Sequence, residues 1–393
     1  MMKILSGLCA IMVMAIIFAS VAHAPELEAG GSLSISDLAI PAVIALLVGL
    51  MPFGKGVMGL NYADSQLLAG IGILQDRMNK KTLRAPVYGA LDAYVRNREA
   101  SIPNIDQLRV AENRAVDVKY LKRTAQAITN ARDCAPTANY GDSGNIDITW
   151  KTYAATVKTS DKMFRNNEFT GQQQFANDLW NVMLDLYSEI ELDCVAHLEA
   201  NKSGVNAGTL GTFDAANDIM KIAAADKDNY LNYITTEMFA NDYRDNLIDV
   251  HSVNFIAQYA EQRAQGPSND RNDEFQFDGY THYASKQITN GSDDFGTSYI
   301  MTDNSTAIVD WIPGTNRNGR TKGDRTWTTM GDIFGYPWEW AVFRVDSCAD
   351  TTATGGATQD DITTWEVSLD LSKVVAPIDV ATETPIFKYA LLK

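Results

Sequence analysis

Hydrophobic positions change their period along this chain, and the changes divide it. Residues 166–204 read NNEFTGQQQFANDLWNVMLDLYSEIELDCVAHLEANKSG, with no proline and no glycine between Gly171 and Gly204. The apolar positions Phe175, Leu179, Val182, Leu186, Ile190 and His197 or Leu198 keep to helical spacing, which predicts an amphipathic helix with one buried stripe. Thr170 and Gly171 suit its start, and residues 201–204 suit its end. At 1.5 Å per residue it runs roughly 45 Å, long enough to be a beam on which other elements lean.

Upstream, residues 61–98 read as helical, with Leu67, Leu68, Ile71, Ile73 and Leu74 clustered and a boundary at Pro86. A strand-like piece around Val116, Val118 and Tyr120 runs into the basic stretch KYLKRTAQAITNAR. A turn-rich segment with Pro136, Gly141 and Gly144 follows. Then Ile146, Ile148, Trp150 and Thr152 alternate at period two, which predicts one long strand in a hairpin-like excursion, followed by Val157.

Downstream of the long helix, 205–213 reads as a loop. Helices are expected at 215–225, 227–241 and 250–263, and strands at 275–277, 280–283, 297–301 and 307–312. The polar, Gly-rich stretch 313–329 reads as a mobile loop. Residues 334–343, FGYPWEWAVF, read as aromatic core. Alternating TWEVSLDLSKVV and PIFKYALLK close the chain as strands. Helices first, then a mixed part, then strands make the fold class α+β and not an alternating βαβ series.

A length of 393 residues suits two domains or one extended body with insertions. With 46% hydrophobic and 21% charged residues, the composition excludes a disordered chain. The net charge of −16 excludes wrapping nucleic acid by phosphate neutralisation, so no sequence-specific nucleic-acid binding is expected. Cys9 lies in an apolar leader, and Cys134, Cys194 and Cys348 are too widely spaced for a metal cadence or a disulfide framework, which favours a reducing compartment. The leader MMKILSGLCAIMVMAIIFASVAHA has the pattern of a secretory signal, yet residues 4–22 approach the length of a membrane span. A second apolar stretch at 38–50 contains Pro41. Membrane contact or export, a removable pro-segment and a start-site error all remain open for this segment.

The search for chemistry is negative. His23, His197, His251 and His282 include no HExxH and no pair at ligand spacing, so a zinc site would have to be assembled from distant residues. GxSxG, GxxxxGK[ST] and GxGxxG are absent. The acidic runs at 268–275 and 291–295 lack calcium-loop spacing and read as solvated turns. A carboxylate pair such as Glu274 with Asp293 carries little weight among 49 acidic residues. No catalytic, cofactor-binding or metal-binding residue is assigned, and the chain is expected not to be an enzyme.

The ordered run from about Arg109 to Asn206, APTANYGDSGNIDITWKTYAATVKTS and the long helix included, resembles the major capsid proteins of tailed bacteriophages with the HK97 fold. Its likeness is greatest to those of Bacteroidetes-infecting, crAss-like phages. YRDNLIDVHSVNFIAQYAEQRAQG, EFQFDGY and TPIFKYALLK extend the resemblance less densely. It implies an α+β, HK97-like capsid fold with a long spine helix, an extended β-hairpin loop and a mixed axial domain. On it, residues 1–60 are an apolar leader or removable segment, 61–110 an N-terminal arm and 111–165 the extended loop. Residues 166–211 are the spine of the peripheral domain, 212–336 the axial domain, and 337–393 strands returning to the body.

The implied function is self-assembly, as hexamers and pentamers, into the icosahedral shell that encloses double-stranded phage DNA, with scaffold, portal and decoration proteins as further partners. Ile148, Trp150, Tyr153, Lys122 and Arg123 are then expected at the subunit interface, because a loop cannot bury its alternating apolar residues alone. The apolar N-terminus departs from the family's arm, and no cross-linking Lys or Asn can be carried over. An exported surface-lattice subunit and a secreted hydrolase are the alternatives.

Overall fold

The computed structural model describes residues 62–81, 83, 86–96, 118–122, 142–146, 148–160, 170–244, 246–264, 274–277, 279–350, 359–376 and 384–393. The expectations for the leader, the 38–50 stretch, most of the basic stretch and the acidic run before Glu274 lie outside them.

Helices α1 (Tyr62–Asn79) and α2 (Gly89–Arg96) flank Pro86 as predicted. Strands β1 (Val118–Lys122), β2 (Asp142–Ile146) and β3 (Trp150–Ser160) precede α3, the long helix, which spans Gly171–Ala200 in 30 residues. A capping box starts α3: the Thr170 hydroxyl accepts from the Gln173 N–H at 3.3 Å, and the Gln173 side chain accepts from the Thr170 N–H at 3.1 Å. Asn201 ends it, its side-chain amide donating to the His197 carbonyl at 2.8 Å. The buried stripe is wider than the sequence implied. Besides Phe175, Leu179, Leu186, Ile190 and Leu198 it takes in Trp180, Tyr187, Glu191 and Val195, because α1, α2 and β3 all pack on this helix.

After α3 come β4 (Thr212–Asp214), β5 (Ile219–Ile222), a 3-10 turn, α4 (Tyr230–Ala240), β6 (Leu247–Ser252) and α5 (Phe255–Ala264). Strands β7 (Glu274–Phe277), β8 (Tyr280–Ser285), β9 (Asp294–Thr302) and β10 (Thr306–Trp311) follow. A short helix α6 (Gly314–Arg317) leads to β11 (Arg320–Lys322), β12 (Arg325–Gly331), β13 (Glu339–Asp350), β14 (Gln359–Val375) and β15 (Ile386–Leu392).

Four expectations are corrected. Residues 215–225 are not a helix: Asp214 accepts from the Ala216 N–H at 3.1 Å and Asn217 at 3.0 Å, and Asp218 adopts φ 48°, so the chain turns into the β4–β5 hairpin. The helix expected at 250–263 is split, since Leu247–Ser252 is a strand with every residue buried and so lacks the alternation that marks a half-exposed strand. The loop expected at 313–329 is largely a β11–β12 hairpin, turned at Gly323 with φ 58°. The single strand expected through 146–152 is two strands, β2 and β3, in different sheets.

Seven strands form one sheet in the order β4-β5-β15-β9-β6-β8-β7. Its Ile248, Val250, Tyr283, Met301 and Ile386 join a core with α1, α2 and α3. The alternate positions Leu247, Tyr280, Ile300, Phe387 and Tyr389 form a second core with α4 and α5. The other large sheet runs β10-β14-β13-β12-β11, with β3 along the free edge of β14. Among the described residues no helix is long and apolar enough to cross a membrane.

Candidate functional site

Strands β1 and β2 form a two-stranded antiparallel ribbon, Lys122 opposite Asp142 and Val118 opposite Ile146, hydrogen-bonded to neither large sheet. Lys122 thus sits at the end of the ribbon, and Arg123 lies outside the described residues. The chain returns through Ile148 and Trp150, both half-buried, into β3, which pairs with β14 from Trp150 opposite Ser372 to Ser160 opposite Ile362.

Tyr153, expected at the interface, meets its own chain's long helix. It is 3% exposed within its own chain, because it faces α3 and not outward. Its hydroxyl donates to Asp193 at 2.5 Å and accepts from Lys373 at 2.9 Å. Lys151 beside it reaches Glu189 at 3.2 Å and also binds Asp193. Burial alone would raise the Asp193 carboxyl, but the bonds from Lys151 and Tyr153 and the charge of Lys373 bring it below the usual range. The root of the ribbon is therefore pinned to the long helix, while Thr152, Ala154, Thr156 and Lys158 on the opposite face of β3 are exposed.

The predicted aromatic core lies on α3. Tyr187 is ringed by Tyr88, Phe334, Tyr336, Trp338 and Trp340 at centroid distances of 5.0–6.4 Å. Asp332 ties this ring together, accepting from the Tyr187 hydroxyl, from Trp340 Nε1 at 2.9 Å, and from the N–H groups of Phe334 and Tyr336 at 2.8 and 2.9 Å. One turn on, buried Glu191 accepts from the Ala90 and Leu91 N–H groups at 3.0 and 2.8 Å and from the Ser285 hydroxyl at 2.5 Å. It thereby caps α2 and ties α3 to β8. Gly89 is needed there, since a Cβ would lie 2.3 Å from the Ala284 carbonyl oxygen.

Farther along α3, His197 Nδ1 accepts from the Tyr94 hydroxyl at 2.6 Å, and burial lowers its pKa to about 4. Glu199 accepts from Tyr299 at 2.5 Å, Lys202 at 2.6 Å and Lys388 at 2.9 Å; although burial opposes it, these donors hold its pKa near 2. The long helix thus carries both large sheets.

Another polar group lies on the seven-stranded sheet, under α5. Asp249 and His251 are two residues apart on β6, and His282 on β8 stands opposite Asp249 in parallel register. All three are 0% exposed, and one donor atom from each lies within 4.8 Å of the others. Asp249 Oδ2 accepts from Tyr259 at 3.0 Å and lies 2.8 Å from His282 Nδ1. Sequence reasoning missed this group because β6 and β8 are brought together by the fold. The alternation Asp249-Val250-His251 within a strand was the one signal available. Burial, only partly offset by Asp249, lowers the His251 pKa. This is the one group among the described residues whose donors could hold a metal ion.

No protein-family model matches the chain, and no curated protein sequence matches it. It is similar to solved structures from Mycobacterium phage Bobi (11% identity, TM-score 0.45, 79% of this chain and 92% of that one) and Gordonia phage Cozz (9%, 0.42, 94% and 98%). It is also similar to a structure described as the capsid of Ralstonia phage GP4 (9%, 0.37, 70% and 83%). At such identities and TM-scores, function has to be argued from the chain itself.

Proposed function

We propose that this chain is a major capsid protein with an HK97-like arrangement, which self-assembles into the icosahedral shell of a tailed phage and encloses its double-stranded DNA. The observation that carries this reading is the β1–β2 ribbon. It is hydrogen-bonded to neither large sheet and is followed by β3, which packs on a 30-residue helix that also carries α1 and α2. A two-stranded ribbon is marginal alone in water, and a neighbouring subunit is a natural support for it. The resemblance read in residues 109–206 is in keeping with this reading, of which a crAss-like phage is the finer form. Hexamers and pentamers, scaffold, portal and decoration proteins are the partners it entails, and the virion is its place, with assembly in the host cytoplasm. The role is structural, and no catalytic activity is part of this reading.

The test is density-gradient sedimentation of the full chain, expressed alone and with the scaffold of its own genome, followed by negative-stain microscopy. Closed shells or capsomer rings are expected. A monomer in both preparations, cleaved near Pro25 on export, would overturn the proposal in favour of a secreted protein.

A further inference from the structure

We propose that Asp249, His251 and His282 form a buried structural site for one divalent transition-metal ion of the zinc class. This rests on the seven-stranded sheet alone and stands whether or not the chain builds a shell.

The geometry comes from the strand period. Positions 249 and 251 face the same side of β6, and parallel pairing sets His282 of β8 beside Asp249. All three side chains enter one space beneath α5, walled by Phe255, Tyr259 and Tyr280, with His251 and His282 centroids 6.0 Å apart.

Two atoms in this space are buried without a hydrogen-bond partner: Asp249 Oδ1 and His251 Nε2. The His251 case is specific. Its Nδ1 lies 2.9 Å from the Ser252 carbonyl oxygen, which can only accept, so Nδ1 carries the proton. The neutral ring then holds a lone pair on Nε2. A backbone acceptor that fixes the tautomer is the usual second partner of a metal-binding histidine. On the other side, the Asp249 carboxylate is held through Oδ2 by Tyr259, which leaves Oδ1 to bind.

Two imidazoles and one carboxylate favour zinc, cobalt or nickel over magnesium or calcium, which take oxygen ligands. Zinc at about 2.0–2.2 Å from each donor needs donors roughly 3.4 Å apart. One donor atom from each residue now lies within 4.8 Å of the others, so the site would tighten on binding. A water or the Tyr259 hydroxyl would complete a tetrahedron. With every ligand buried, the ion would be taken up during folding and would lock β6 to β8.

The test uses the untagged full-length chain, produced with added zinc and separately with cobalt, then dialysed against a weak chelator. Elemental analysis should find about one zinc per chain, and the cobalt form should show the intense visible absorption of a tetrahedral site. His251→Gln should lower bound metal at least tenfold with an unchanged circular dichroism spectrum, while His197→Gln should retain it. Asp249→Asn serves if the first variant fails to fold. Wild-type protein with less than about a tenth of an equivalent of either metal, or a folded variant that keeps the full amount, would overturn the site.

Discussion

Two aspartate sites, one half-buried beside the six-stranded sheet and one fully buried in the seven-stranded sheet, satisfy their carboxylates differently. An ionised carboxylate offers about four acceptor positions. Asp332, beside the six-stranded sheet, fills them with two side-chain and two backbone donors, and through them joins Tyr187 of α3 to Phe334, Tyr336 and Trp340. Asp249, in the seven-stranded sheet, fills only one oxygen and leaves the other without a partner at zero exposure. Both regions are rich in aromatic side chains, so aromatic content does not separate them. What separates them is whether the polar atoms close on one another. Where they close, the group is a fastener; where they do not, a buried acceptor is left without a protein partner.

The largest expected effect lies in the closed region. Tyr187→Ala should cost about 4 kcal/mol in urea unfolding, from lost ring packing and the stranding of Asp332 and Trp338. Tyr187→Phe keeps the ring and should cost about 1–2 kcal/mol. A Phe variant as damaging as Ala would mean that the hydrogen bonds, not the stacking, hold the six-stranded sheet to the spine.

The next pair tests the contrast directly. In metal-free buffer, Asp332→Asn should cost about 2 kcal/mol, because an amide cannot accept from all four donors. Asp249→Asn should cost about 1 kcal/mol there, since the amide oxygen can still serve the occupied side. Adding zinc should raise the Asp249→Asn cost and leave that of Asp332→Asn unchanged. Equal costs that ignore zinc would dissolve the distinction.

What could be read from the sequence divides along the same line. The long helix, its Thr170 cap and the packing of FGYPWEWAVF were legible because each rests on local period or composition. Residues 247–252 were not legible as a strand, since both faces of β6 are covered and the short alternation from Ile248 to His251 runs into residues with helical spacing. The 215–225 error came from an alanine-rich run whose turn is decided by Asp214 and Asp218. The Asp249 group depends on parallel pairing across 33 residues, which no local pattern encodes.

Acid should act next, through α3. Glu199 has its pKa lowered from 4.5 to about 2, so its contribution is complete above 4.5 and is lost as pH falls toward 2. His197 is held neutral, lowered from 6.5 to about 4, so the unfolded chain takes up the proton first and stability declines as pH falls from 6.5 to 4. Urea midpoints against pH should therefore drop in two stages. Glu199→Gln should flatten the lower stage alone, and a variant that still shows both would remove Glu199 as the clamp on β9 and β15.

The smallest change in stability should accompany the largest change in assembly. Trp150 is half-buried at the mouth of the ribbon, and its own chain fixes that mouth through Tyr153, Lys373 and Asp193 without it. Trp150→Ala should therefore cost about 1 kcal/mol or less in unfolding. If a neighbour packs on this position, the same variant should sediment as subunits or small oligomers under conditions where the parent forms shells, because a modest loss at each contact multiplies over every copy in the shell. Tyr153→Phe is the control: it weakens the root from inside and should lower stability while leaving the outward surface unchanged. Shells from Trp150→Ala as abundant as the parent's would move the contact elsewhere on the ribbon, with Ile148 and the β1–β2 strands next in line.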